Sequence, residues 1–174
     1  MAKRSTITLF AVLSVVVLAL TVVGPVAFSD TSDRPQKSQL IVADARGDVV
    51  FLEVPTSQID HVELEWIHSV EKEPWREIYR IDSHHLLLTD VYLKSFGAGV
   101  PSDLEGVTVN EGGIVHTSKI DRQIEELNWV HSHETDHTFR VFFVNRSEPL
   151  VLQQEIPHHT FATAFVGTAA DIGT

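Results

Sequence analysis

The chain predicts an all-β domain, an antiparallel β-sandwich or partly closed barrel, standing behind one N-terminal transmembrane helix. Three observations carry this expectation. An uncharged apolar run extends from Ile7 to Phe28. Beyond it, apolar and polar residues alternate instead of recurring at helical spacing. Clusters of Gly, Pro, Asp and Asn cut that alternation into segments of strand length.

The N-terminal run is broken only by Thr8, Ser14, Thr21, Gly24 and Pro25. At about 1.5 Å per residue it is long enough for a hydrocarbon core of about 30 Å, whereas the apolar part of a signal peptide has about 7–15 residues. Residues 1–29 therefore read as an uncleaved membrane anchor. The alternative is a cleaved signal that releases a secreted domain, because Ala27-Phe28-Ser29 places small residues ahead of Asp30. Lys3 and Arg4 hold the N-terminus in the cytoplasm in either case, so the remainder is expected outside it in a single-pass arrangement. The polar stretch 30–38 reads as a tether and residues 39–174 as one extracytoplasmic β domain.

Beyond Arg4 the chain holds 24 acids against 11 bases, a formal charge of −13. That balance repels phosphate backbones and excludes nucleic acid as an expected partner. There is no cysteine, so neither a lipid-modified cysteine nor a disulfide framework is available, and the domain must rest on its core.

Taken in order, Gln39 to Ala43 and Asp48 to Val54 form a hairpin around Asp44-Ala45-Arg46-Gly47. The next strand places Val62, Leu64, Trp66 and His68 on one face, with Trp66 in the core, and His61, Glu63 and Glu65 opposite. Strands follow at Trp75 to Ile81, Leu86 to Ser95, Val107 to Asn110, Ile114 to Thr117, Leu127 to His133, His137 to Val144 and Leu150 to Glu155. Turns fall at Glu111-Gly112-Gly113, Glu134-Thr135-Asp136 and Asn145 to Pro149. Between Lys119 and Glu126, the spacing of Ile120, Ile124 and Leu127 reads as one or two helical turns.

With Glu71-Lys72-Glu73-Pro74 as the loop, Val70 pairs with Trp75, His68 with Glu77 and Trp66 with Tyr79. His68 and Glu77 then meet beside an aromatic pair, as a structural ion pair or as part of a ligand pocket. Adjacent His68 and Ser69 point to opposite strand faces and make no catalytic dyad. No nucleophile elbow, phosphate loop or metalloprotease signature occurs. Glu71, Glu73 and Glu77 read as a solvated charged turn before they read as a glycosidase acid and base.

His68-Ser69-Val70-Glu71-Lys72 with Trp75, Glu77 and Tyr79, followed by Ser95-Phe96-Gly97-Ala98-Gly99-Val100-Pro101, resembles the domain-of-unknown-function family numbered eighteen-fifty. The family-motif positions here are Ser69, Glu71, Lys72, Trp75, Gly97, Gly99 and Pro101. The resemblance implies an exported or membrane-anchored protein, often encoded beside TAXI-type TRAP transporters, which import solutes through a binding protein and a membrane permease. It thus implies an accessory role, with a permease or solute-binding protein as partner. No cofactor is expected. A divalent metal would be held by His131, His133 and His137, brought together across a tight turn, in a second reading as a metal-dependent exported enzyme. A purely structural surface protein is the third.

Overall fold

The computed structural model describes residues 38–47, 49–94, 105–168 and 171. The chain divides into Met1–Arg34 and Pro35–Thr174, and every described residue belongs to the second unit. The anchor, most of the tether and the glycine loop with Ser95, Gly97, Gly99 and Pro101 lie outside the described residues. Among those described, no helix is long and apolar enough to cross a membrane.

The described residues form eleven strands in two open antiparallel sheets. They are β1 (Gln39–Asp44), β2 (Val50–Pro55), β3 (Ile59–Ile67), β4 (Pro74–Asp82), β5 (His85–Leu93), β6 (Val107–Glu111), β7 (Ile114–Ile124), β8 (Glu126–Val130), β9 (Thr138–Phe143), β10 (Leu150–Val151) and β11 (Phe161–Gly167). The small sheet runs β2-β1-β11-β8 and the large one β10-β9-β3-β4-β5-β7-β6. A single apolar core joins them. Leu40, Val42, Ala162 and Ala164 of the small sheet cluster with Val62, Leu64, Leu86, Val91, Phe139 and Val141 of the large one. The fold is thus the two-sheet alternative, with no closure into a barrel.

Local chemistry accounts for the turns. Asp44 accepts the backbone N–H of Arg46 at 2.9 Å and tightens the β1–β2 turn. Gly112 and Gly113 carry φ of +61° and +83°, the left-handed pair that a two-residue hairpin turn needs between β6 and β7. The segment 119–124 is strand rather than helix. Lys119 and Asp121 take φ of +57° and +51°, bulging β7 where its pairing with β5 shifts between Leu88 and Asp90. Ile120 still reaches the core, because a four-residue spacing to Ile124 suits a bulged strand as well as a helix.

Other boundaries also move, and one strand is new. β8 ends at Val130, ahead of His131, and a 3-10 turn occupies His133–Thr135. β10 has only two residues. β11 carries no sequence signal, since Phe-Ala-Thr-Ala-Phe-Val-Gly has small residues buried on both faces and so shows no alternation.

The β3–β4 hairpin departs from the expected register. Trp66 faces Trp75, Leu64 faces Glu77 and Val62 faces Tyr79, so the loop is six residues long, from His68 to Glu73. His68 and Glu77 are therefore not cross-strand partners. The loop closes through the His68 N–H on the Glu73 carbonyl and the Lys72 N–H on the His68 carbonyl, both at 2.9 Å, with Lys72 at φ +58°. Those bonds satisfy the His68 backbone groups that the shorter loop would have placed in the ladder.

Candidate functional site

The face of β4 that carries Trp75, Glu77 and Tyr79 points into the sandwich. Glu77 is an acid set between two aromatic donors. Trp75 Nε1–H donates to its Oε1 at 3.2 Å, and the Tyr79 hydroxyl donates to Oε2. Burial pushes the Glu77 carboxyl above its ordinary value, against those two bonds and the positive charge of Arg122, which pull it down. The Tyr79 hydroxyl is pushed up as well, by burial first and by the neighbouring Glu77 second. A phenol held protonated keeps donating, so the pair is a stable interior arrangement.

In the loop, His68 Nδ1 bonds the Glu71 carboxylate, and the His68 ring lies 5.6 Å from that of Trp75. Ser69 is exposed in the turn, and among the described residues none is bonded to it that would activate it as a nucleophile. Lys72 is exposed too. Trp75 is thus the hub of this end, touching His68 on one side and Trp66 at 5.4 Å on another while holding Glu77.

Trp66 continues the contacts into a histidine cluster. Its ring stacks on His137 at 5.7 Å with an 8° interplanar angle. His137 lies 6.1 Å from His131, which meets His133 edge-on at 5.3 Å, and His133 meets His158 at 5.4 Å. The three histidines singled out in sequence do come together, and His158 and His159 join them from the segment ahead of β11. That Trp129 and His158 would join these three was not anticipated. Trp129 carried a signal in hindsight, two residues before His131 on the same alternation.

The hydrogen bonds define what the cluster does. An indole N–H can only donate, so His131 Nδ1 accepts from Trp129 at 3.3 Å and its Nε2–H donates to the Gln153 carbonyl at 3.0 Å. Both nitrogens of this fully buried ring are thereby committed in its neutral form. Burial is the main reason its pKa is lowered, and His133 and His158 add to the effect against the Gln153 carbonyl. His133 Nε2 donates to the Ile156 carbonyl at 3.1 Å, and His158 Nδ1 accepts the His133 backbone N–H at 3.0 Å. A metal at His131 would have to displace the Trp129 or Gln153 bond. Among the described residues no group of three or more His, Asp or Glu is arranged to hold a metal ion.

His137 gives a pH prediction. Burial, followed by the nearby His131, lowers its pKa from 6.5 to about 4, against a hydrogen bond to the Ser132 backbone carbonyl, which raises it. The unfolded chain then binds the extra proton between those two values, so stability rises with pH across the window. The contribution is fully present above 6.5 and lost as pH falls to about 4. With the ring only half buried, solvent screening leaves about 1–2 kcal/mol of the effect. Denaturant midpoints from pH 7 to 4 should fall less steeply in His137→Phe, which keeps the stack on Trp66. Parallel profiles for the two proteins would remove His137 as the cause.

A family model described as a domain of unknown function (DUF1850) matches residues 62–150, just over half of the chain. The chain belongs to the DUF1850 family. No curated protein and no solved structure matches it. The DUF1850 span contains β4 to β9 whole and most of β3, and with them His68, Glu71, Trp75, Glu77, His131 and His137. It stops short of His158, His159 and β11.

Proposed function

We propose that this DUF1850 protein is an extracytoplasmic binding or assembly module, tethered to the cell membrane by residues 1–29 and serving as an accessory to a TRAP-type solute importer. One observation carries the choice of a binding module over an enzyme. The motif's His68, Glu71, Trp75, Glu77 and Tyr79 are spent on one another: His68 on Glu71, and Glu77 on Trp75 and Tyr79. A signature used this way holds a scaffold in shape and leaves recognition to the surface. Export is supported by the apolar run behind Lys3 and Arg4. The transporter connection is supported by the family resemblance, and the acidic surface makes a protein or solute a better partner than nucleic acid.

Tags test the topology. One at Thr174 should be reached from outside the cell and one at Met1 only after the membrane is opened, whereas two cytoplasmic tags would end the export argument. Capture of the full chain from native membranes should recover a TRAP permease or its solute-binding protein. Recovery of neither, under conditions where the permease keeps its own partner, would overturn the accessory role.

A further inference from the structure

The outer face of the large sheet carries a groove that the sequence reading did not single out. Its volume is about 320 Å³, within the range of small-molecule sites, and it is open to solvent. Register explains its lining. Glu65, Arg76 and Tyr92 are successive cross-strand neighbours on β3, β4 and β5, and Tyr92 faces His116 on β7. Glu73, Pro74, Leu93, Lys94 and Ile114 complete the wall.

The charges in this groove are not equivalent. Glu65 is engaged by Arg140, whose Nη2 donates to it at 3.1 Å. The two cations are held more loosely. Arg76 Nη1 stands 3.8 Å from Glu63 and Lys94 Nζ 3.7 Å from Glu73, both beyond hydrogen-bond reach. Arg76 lies over the Tyr92 ring at 4.4 Å, and Tyr92 stacks on His116 at 4.1 Å, which is itself bonded to Asp90 at 2.7 Å. That stack restrains the guanidinium before any ligand arrives, which lowers the cost of pairing with one.

We propose that this groove binds a small organic monocarboxylate, its carboxyl group paired with Arg76 and Lys94 and its apolar body against Pro74 and Ile114. A guanidinium matches a carboxylate through two parallel N–H bonds. The strongly acidic chain disfavours ligands of higher negative charge. Pro74 and Ile114 make the rest of the wall suited to an apolar body rather than to an inorganic anion.

Titration calorimetry on the full chain, with phenylacetate and its neutral counterpart phenylacetamide as probes, tests the site independently of any transporter partner. Phenylacetate should bind saturably with a Kd on the order of 1 mM, as suits an open groove. Phenylacetamide should bind at least about tenfold more weakly. Arg76→Gln and Lys94→Gln should each weaken phenylacetate about five- to tenfold. Lys94 is solvent-exposed, so its variant keeps the fold and decides the matter if Arg76→Gln does not. Equal binding of acid and amide, undiminished binding by Lys94→Gln, or no binding at about 20 mM acid would each overturn the proposal.

Discussion

A chain ended after Thr160 should lose cooperative folding altogether. β11 is an inner strand of the small sheet, paired with β1 from Gln39↔Gly167 to Asp44↔Ala162 and with β8 from Phe161↔Val130 to Phe165↔Glu126. Without it β8 has no strand partner and β1 keeps only β2. Ala162, Ala164 and Val166 leave the core, and Leu40, Val42, Leu127 and Trp129 lose their cross-strand neighbours. Each backbone hydrogen bond contributes about 1 kcal/mol net and each buried aliphatic side chain about 1.5–3 kcal/mol. The loss exceeds the roughly 5–15 kcal/mol by which domains are stable. Far-UV circular dichroism during heating should show no sigmoidal transition, and a sharp transition near that of the full chain would refute the assignment of β11. By the same reasoning the matched span 62–150 cannot fold alone, because β1, β2 and β11 lie outside it.

The largest single-residue loss should come from Trp75→Ala, at about 4–8 kcal/mol. Deleting a buried aromatic side chain costs about 3–5 kcal/mol, and removing one donor from a buried acceptor adds about 1–3. Trp75 is 6% exposed, and its indole N–H supports the carboxyl of Glu77. Trp66→Ala should cost clearly less, about 1–3 kcal/mol, because that ring is only partly buried and reaches no polar partner comparable to Glu77. Urea midpoints for the two variants check the order. If Trp66→Ala proves the more damaging, the core lies where alternation alone would put it.

Much of the candidate site was legible because the relevant signals are local. His68, Glu71, Trp75 and Glu77 stood out by their spacing, as did His131, His133 and His137. What each residue touches was not legible. The hairpin shows why. Trp66 faces Trp75 instead of Tyr79, and a slip of four residues leaves every side chain on its original face. Alternation cannot detect an even slip; only the hydrogen bonds that close the six-residue loop decide it.

The amino-acid order by itself determined the class of fold, nearly all of the strands, the glycine turn between β6 and β7 and the family. Period-two burial and left-handed turn residues are properties of neighbours along the chain. The tertiary structure alone decided that β11 fills the middle of the small sheet, that β7 continues through a bulge, and that His158 and Trp129 join the histidine cluster. It also brought Arg76, Tyr92 and Lys94 to one groove. These depend on which strands pair and in what register. Such pairing is set by burial and hydrogen bonding between residues distant in sequence, where no local period carries the information.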